Sequence, residues 1–196
     1  MKQLLITGFD PFGGESVNPS WEAVRRLPDE IGPWRLTKLQ IPTVFGQAAQ
    51  TVLETAEKVA PDAILCVGQA GGRNAVTPEV VAINLREARI PDNAGHQPEN
   101  LPVVEGGPAA YFATVPVRDM EKAILAAGYP AALSYSAGAF VCNDVLYTLL
   151  HSLDAADTRV GFIHVPFLPE QAKETQPSMP LDDIIGALSA AIGAME

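Results

Sequence analysis

The fold is decided by residues 131–165, which read AALSYSAGAFVCNDVLYTLLHSLDAADTRVGFIHV. The pattern predicts a short strand over 131–134, a helix over about 140–153 and an apolar strand over 159–165. A strand, a helix and a second strand in this order make a right-handed crossover between parallel strands of one sheet. Continuous apolar runs such as RVGFIHV are typical of strands that are buried on both faces. We therefore expect a parallel sheet with this helix packed against it.

The same alternation continues on both sides of this stretch. Apolar strands are predicted at 3–8, 34–41 and 63–68, and VVAINL is strand-like inside the Gly- and Pro-rich stretch 68–108. Helical spacing follows the capping motif Asn18-Pro19-Ser20, and recurs at about 45–59, 119–127 and 181–194. A chain of 196 residues has room for one core. We predict a single α/β domain over 1–196, with a mostly parallel twisted open sheet and helices on both faces.

Composition and charge narrow the classes of partner. Hydrophobic residues make up 47% and charged residues 18% of the chain, as in ordinary globular proteins. The formal net charge is −10 and no Lys/Arg cluster occurs, so we expect neither nucleic acid nor an anionic membrane surface as a partner. The first residues, MKQLLITGFD, are typical of a strand rather than a signal peptide. We expect a cytoplasmic protein whose two cysteines, Cys66 and Cys142, stay reduced.

The predicted topology places Cys142 and His164 close together. Cys142 falls in the first turn of its helix, where unpaired N–H groups and the helix dipole favour an anion. We therefore expect a lowered thiol pKa. His164 lies at the carboxyl end of the following strand, which is the edge where open α/β sheets place their sites. The pair predicts a nucleophilic thiol with an imidazole as its base.

The other histidines and the second cysteine are weaker candidates. His151 lies nine residues after Cys142 on the same helix, on the opposite face and roughly 13 Å away. His96 lies in the long loop and stays open as an alternative base. Cys66 lies in the middle of a strand and is interpreted as a small buried residue. The same ordinary interpretation stays open for Cys142, and a core role for His164.

Ordered motifs run nearly from one end of the chain to the other. They are GFDPFGG with Asn18-Pro19-Ser20, GQAGGR at 68–73, TPEVVAIN at 77–84, RIPDNAG at 89–95, SAGAFVCN at 136–143 and GFIHVPFLP at 161–169. With these motifs the chain resembles the pyroglutamyl peptidase I family of cysteine peptidases, also called pyrrolidone-carboxylate peptidases. The resemblance implies removal of an amino-terminal pyroglutamate (5-oxoproline) through a thioester, with no metal or cofactor, by a homotetramer.

The resemblance also implies the site residues. Its Cys–His–Glu triad maps onto Cys142, His164 and Glu79. A pyroglutamyl ring is a small neutral lactam, which apolar walls and a few amide groups suit. The positions that match the family's substrate pocket are Phe9, Phe12, Asn18, Thr43, Gln69, Ile90, Phe140 and Val141. The chain departs from the family pattern at Asp10, Val80, Ala139 and Arg86-Glu87, none of which is a triad position.

Several alternatives stay open from the residues alone. Asp92 competes with Glu79 as the carboxylate that orients the histidine, whereas helix geometry turns Asp144 about 200° away from Cys142. The two phenylalanines of GFDPFGG suit ordinary core packing as well as a pocket. One rival function is a glutaminase-like cysteine amidohydrolase, which would need an acidic partner for a charged α-amino group. The other is a catalytically silent binding module of the same fold.

Overall fold

A computed structural model describes residues 1–195, and no helix among them is both long and apolar enough to cross a membrane. The strands are β1 (Lys2–Phe9), β2 (Glu30–Ile31), β3 (Trp34–Ile41), β4 (Ala63–Gln69), β5 (Thr77–Pro78), β6 (Val81–Ile83), β7 (Ala110–Phe112) and β8 (Arg159–Val165). The helices are α1 (Pro19–Val24), α2 (Gln47–Val59), α3 (Val117–Ala126), α4 (Val141–Ser152) and α5 (Leu181–Gly193).

The main sheet has six strands in the order β2-β3-β1-β4-β8-β5. The four central strands, β3, β1, β4 and β8, run parallel to one another, and the short edge strands β2 and β5 are antiparallel to their neighbours. The predicted α/β class with a mostly parallel sheet is confirmed. The VVAINL run contributes β6, which pairs antiparallel with β7 in a separate two-stranded sheet.

Residues 131–134 do not form the predicted strand. They make only isolated parallel bridges, Val76 to Ala131 and Glu79 to Ser134, while β8 pairs with β4 and β5. The predicted parallel crossover from 131–134 into β8 is therefore wrong. The segment contains two alanines, which offer a pleated sheet little side-chain surface to pack.

The helices cover both faces of the sheet, as predicted. Because side chains alternate along a strand, Ile6 and Ile163 point to one face, where α1, α3 and α5 pack. Leu5 and Phe162 point to the other face, where α2 and α4 pack. Each face therefore has its own apolar core, and α4 carries Cys142 on the second one.

A close helix contact holds the loop that follows β1. Asn18 caps α1, because its Oδ1 accepts a hydrogen bond from the Ser20 N–H at 3.1 Å. The Ser20 hydroxyl accepts in turn from the Phe9 N–H at 3.0 Å. A Cβ on Gly8 would lie 2.6 Å from Trp21 Cα, so only glycine lets α1 approach β1 this closely. The GFDPFGG loop is thereby fixed at the carboxyl edge of the sheet.

Candidate active site

Strand register places the thiol of Cys142 beside His164. Gly68 pairs with His164 across β4 and β8, and Cys142 Sγ lies 3.0 Å from the position that a Cβ on Gly68 would take. His164 shares its sheet face with Phe162, the face against which α4 packs. Thiol and imidazole therefore lie on the same side of the sheet. A side chain at Gly68 would push the thiol away.

Glu79 orients the imidazole of His164. Its Oε1 lies 2.7 Å from His164 Nδ1, and both side chains are buried. The Glu79 N–H donates to Phe162 O at 2.9 Å, which ties the carboxylate to β8 itself. With Nδ1–H donating to the carboxylate, a neutral imidazole keeps its Nε2 lone pair free to accept a proton. This is the geometry of a base held by a carboxylate.

Arg73 also contacts this carboxylate, a contact for which the sequence provided no expectation. Its Nη1 donates to Glu79 Oε1 at 2.7 Å and also to Thr77 Oγ1, and its Nη2 donates to Ser136 O at 3.1 Å. Arg73 ends the GQAGGR motif, so the motif drew attention to the residue but not to its partner. One carboxylate oxygen thus accepts from both a guanidinium and an imidazole.

The electrostatic environment favours a neutral thiol at rest. Cys142 is partly exposed, but the protein around its sulfur removes water and raises the pKa of the thiol to about 12, with Glu79 adding to the effect. The lowered pKa expected from the helix N-terminus is therefore wrong, because desolvation of the thiolate outweighs the helix dipole. The positive charge of Arg73 acts in the opposite direction and lowers the pKa of Cys142.

The imidazole is neutral and the carboxylate is ionised. Burial lowers the pKa of His164, even though the hydrogen bond and charge of Glu79 act to raise it. Burial alone would raise the pKa of Glu79, but its interactions with His164, Ser134 and Arg73 bring that pKa below the ordinary value. The resting site accordingly holds a thiol, a neutral imidazole and a carboxylate.

The first turn of α4 presents backbone donors beside the thiol. Phe140, at the N-cap, makes no side-chain capping hydrogen bond, and the first intrahelical bond runs from Asp144 N to Phe140 O at 3.1 Å. The N–H groups at the start of the helix have no intrahelical partner, as at any helix N-terminus. A negative charge that develops on a carbonyl oxygen next to Cys142 would meet these donors and the helix dipole.

The competing candidates lie elsewhere. Asp92 accepts hydrogen bonds from the N–H groups of Phe45 and His96 at 3.0 and 2.8 Å, and its Oδ2 is 3.3 Å from His96 Nδ1. These two residues therefore pair with each other in the long loop. His151 Nδ1 lies 2.8 Å from Tyr111 Oη. Cys66 is fully buried in β4, and burial raises the pKa of its thiol to about 12.

Three aromatic rings, two of them predicted, cluster near the start of α4. The ring centroid of Phe140 lies 6.0 Å from that of Phe12 and 5.2 Å from that of Phe45. All three side chains are half-buried. Phe45 was missed because the sequence placed it in the second helix, whereas α2 begins at Gln47. Ile90 is 46% exposed, and its Cδ1 lies 3.9 Å from a Cβ position on Gly13.

Phe9 and Val141, the other apolar predictions, lie in the core. Phe9 is 2% exposed and its ring centroid is 6.3 Å from that of Phe162. Val141 is fully buried in the cluster below α2 and α4. Both side chains therefore belong to this apolar core, and neither presents an exposed wall.

Predicted polar residues form a hydrogen-bonded frame around the GFDPFGG loop. Asp10 Oδ1 accepts from the Thr43 N–H at 2.7 Å and from Asn93 Nδ2 at 3.2 Å. Asn18 Nδ2 donates to Asp10 O at 3.0 Å. Asp10, although a departure from the family pattern, therefore joins three segments of the chain.

Gln69 is oriented by Gln171, which the sequence did not indicate. Gln171 Oε1 accepts from the Leu168 N–H at 3.1 Å, and its Nε2 donates to Val17 O at 3.3 Å. These backbone groups fix which end of the Gln171 amide is the donor. Gln171 Nε2 also donates to Gln69 Oε1 at 3.1 Å, so Gln69 keeps its amide N–H groups for other acceptors.

Arg86, another departure from the family pattern, braces the helix that carries Cys142. Its Nε lies 2.6 Å from Oδ1 of the buried Asp144, whose Oδ2 accepts from the Gly46 N–H at 2.7 Å. Asp144 is thereby saturated by structural partners. Glu87 Oε2 accepts from the Asn100 N–H at 2.9 Å, within the long loop.

Comparisons with known proteins agree on one family. The family model described as pyroglutamyl peptidase matches residues 2–196. A pyrrolidone-carboxylate peptidase from Enterococcus faecalis is 53% identical over 190 residues, which are 95% of this chain and 89% of that protein. The crystal structure of pyroglutamyl peptidase I from Bacillus amyloliquefaciens has a TM-score of 0.95 at 50% identity, covering 100% of this chain and 97% of that one. Pyrrolidone carboxyl peptidase from Thermococcus litoralis has a TM-score of 0.93 at 35% identity, with coverages of 100% and 93%.

Proposed function

Because the chain belongs to the pyroglutamyl peptidase family, we propose that it is a cysteine exopeptidase that removes an amino-terminal pyroglutamate from peptides. The observation that carries the proposal is the 2.7 Å contact between His164 Nδ1 and Glu79 Oε1, beside the thiol of Cys142. A nucleophile, a base and an orienting carboxylate in this order are what cysteine-based acyl transfer needs.

Acylation starts from a neutral thiol and a neutral imidazole. His164 Nε2 takes the thiol proton as Cys142 Sγ attacks the pyroglutamyl carbonyl carbon, and the C=O electron pair moves onto the oxygen. The first-turn N–H groups of α4 stabilise this oxyanion. Glu79 stabilises the imidazolium, which protonates the leaving amine as the C–N bond breaks. The result is a thioester and a peptide shortened by one residue.

Deacylation returns the site to its resting state. The neutral His164 takes a proton from a water molecule, whose oxygen attacks the thioester carbonyl. The second oxyanion meets the same α4 donors and collapses, expelling the sulfur, which regains its proton from the imidazolium. Free pyroglutamate is the second product.

The pocket suits a small neutral ring. The aromatic cluster of Phe12, Phe45 and Phe140 offers apolar surface at the start of α4, and Gln69 has free amide donors for a carbonyl oxygen. The carboxylates of Asp10 and Asp92, which accept from the backbone N–H groups of Thr43 and Phe45, are occupied by backbone and side-chain donors. This favours a lactam without a charged α-amino group over the glutamine-like substrate of the rival function.

Hydrolysis of a fluorogenic pyroglutamyl amide tests the proposal, with the prolyl amide as its matched control. The two substrates differ at one ring carbon, whose carbonyl makes the nitrogen of the first a neutral lactam where the second has a charged amine. We therefore expect release of the fluorophore from the first and little from the second. A stoichiometric, pH-dependent reaction of iodoacetamide at Cys142 separates an enzyme from a silent binding module. Equal cleavage of both amides would contradict the assigned specificity.

We further propose that the enzyme works in the cytoplasm as a homotetramer. The family resemblance supports the tetramer, and Phe112, Tyr135 and Leu125, which are 73%, 63% and 51% exposed, offer apolar surface for contacts between subunits. The two free thiols suit a reducing compartment. Sedimentation equilibrium tests the subunit count and cell fractionation tests the compartment. A monomer, or recovery outside the cytoplasm, would contradict the respective part.

A further inference from the structure

We propose that Arg73 is a positioning residue of this site, whose guanidinium holds the Glu79 carboxylate by the same oxygen that meets His164. The inference rests on the proposed function, because it concerns how the triad is held in place. Arg73 Nη1 and His164 Nδ1 each lie 2.7 Å from Glu79 Oε1. Glu79 Oε2 has no hydrogen-bond partner within residues 1–195. Two side-chain donors therefore act on the same carboxylate oxygen, and the Ser134 side chain also interacts with this carboxylate.

A single contact would leave the carboxylate free to rotate about its terminal bond. Two donors that come from different elements remove that freedom: the imidazole from β8 and the guanidinium from the loop after β4. Charge-assisted hydrogen bonds of this kind are the stronger ones and carry geometric specificity. Without Arg73, the carboxylate would keep its contact to His164 but lose its fixed angle.

Arg73 is itself held by the segments that carry the rest of the site. Its Nη1 also donates to Thr77 Oγ1 in β5, and its Nη2 donates to Ser136 O at 3.1 Å in the loop that leads into α4. The side chain is 28% exposed, whereas that of Glu79 is fully buried. Arg73 thus links the carboxylate, the edge strand and the approach to the nucleophile.

The charge of Arg73 has a consequence that packing alone would not have. The charges that act on the imidazole are those of Glu79 and Arg73, and the groups that act on the thiol of Cys142 are Glu79, Cys66 and Arg73. Arg73 lowers the pKa of both His164 and Cys142, so removal of its charge raises both pKa values. With a raised pKa, His164 becomes protonated at a higher pH as the solution is acidified. Its loss of function as a base on acidification therefore begins at a higher pH.

The test compares Arg73→Met, which removes the charge and the donors, with Arg73→Lys. The lysine keeps the charge but not the planar set of N–H donors of the guanidinium. For Arg73→Met we expect kcat to fall about tenfold to a hundredfold with KM nearly unchanged, and the acid limb of kcat/KM to move up by about one pH unit. For Arg73→Lys we expect the wild-type acid limb and an intermediate kcat. Arg35→Met, which removes an exposed pair with Glu30, serves as the matched control and should behave as wild type.

A second readout does not depend on the substrate. In a Cys66→Ser background, Cys142 is the only thiol, and the pH dependence of its alkylation by iodoacetamide reports its environment. We expect the onset of alkylation to move to higher pH in Arg73→Met and to stay in place in Arg73→Lys. If Arg73→Met does not fold, Arg73→Gln, which keeps an amide donor but removes the charge, takes its place and should show the same upward movement of the acid limb and of the alkylation onset.

The outcomes separate this inference from the proposed function. A wild-type protein that leaves the pyroglutamyl amide intact overturns the function, while the alkylation profile still tests Arg73. A wild-type rate and acid limb in Arg73→Met overturn the positioning role. Equal losses in both variants with no movement of the acid limb also overturn it, because they would show that Arg73 only supports packing.

Discussion

Cys66 and Cys142 are two thiols on one side of the same sheet with different surroundings. Loss of solvent raises the pKa of each thiol to about 12. Cys66 lies mid-strand, where it pairs with Thr7 of β1, and burial is the main influence on its thiol. Cys142 lies beside His164 and at the unpaired N–H groups of α4. The proposed nucleophile therefore differs from Cys66 in its neighbouring imidazole and helix N-terminus, and not in a lowered pKa at rest.

Removal of each thiol in turn tests which of the two cysteines is the nucleophile, and has the largest expected effect. We expect Cys142→Ser to lower kcat by about a thousandfold or more, because a serine hydroxyl is a much weaker nucleophile at this site. Cys66→Ser should keep a rate close to wild type, with a loss confined to stability. Rates on the pyroglutamyl amide and far-UV circular dichroism of both variants check this. A reversed pattern would show that Cys66, and not Cys142, is the nucleophile.

The next largest effect concerns what only Cys142 has, an oriented base. Glu79→Gln should lower kcat by about a hundredfold or more, since a neutral amide stabilises imidazolium poorly and favours the wrong tautomer. His164→Ala should lose more. Because the two act as one unit, the double variant should fall little below His164→Ala alone. Full kinetics of the four proteins measure this coupling. If the two single effects multiply in the double variant, the two side chains act independently. If Asp92→Asn loses activity while Glu79→Gln keeps the wild-type rate, the carboxylate that orients the histidine is Asp92.

The two phenylalanines of GFDPFGG should respond differently to substitution, because Phe12 lies in the site and Phe9 in the core. Phe12 is half-buried in the aromatic cluster, so Phe12→Ala should raise KM for pyroglutamyl substrates about tenfold at nearly unchanged stability. Phe9 is 2% exposed, so Phe9→Ala should lower the free energy of unfolding by about 3–5 kcal/mol. Denaturant titrations and Michaelis–Menten kinetics check both. Similar kinetic losses in the two variants would place Phe9 in the pocket wall.

The smallest expected effect is shared by both thiols. Each thiol has a folded-state pKa raised from 9.0 to about 12, so its contribution to stability is complete below pH 9 and is lost as the pH rises toward 12. Cys66→Ala and Cys142→Ala should therefore each reduce the alkaline decline in stability, by about 1 kcal/mol or more at pH 11. Thermal unfolding between pH 7 and 11 measures this decline, with wild type as the reference. A decline unchanged by either substitution would show that the thiols ionise as freely in the folded protein as in the unfolded chain.

The sequence by itself determined the layered architecture and the places of Cys142 and His164 in it. Apolar runs predicted β1, β4 and β8, the strand-like stretch 34–41 predicted β3, and helical spacing predicted α2, α4 and α5, each to within a few residues. Such patterns are local, because a strand or a helix repeats its burial every second or every third to fourth residue. The positions of Cys142 and His164 within their elements follow from the same patterns. Residues 131–134 misled the prediction because a short apolar run does not specify a partner strand.

Only the tertiary structure decided which groups surround that pair. Glu79 and His164 lie 85 positions apart in the chain, and the antiparallel pairing of β5 with β8 brings them to 2.7 Å. Arg73 and Phe45 join the site through loops, where no periodicity indicates a direction for the side chain. Desolvation raised the pKa of Cys142, although its place in the helix predicted the opposite. Long-range register and the exclusion of water are properties of the packed molecule, so no local pattern in the sequence contains them.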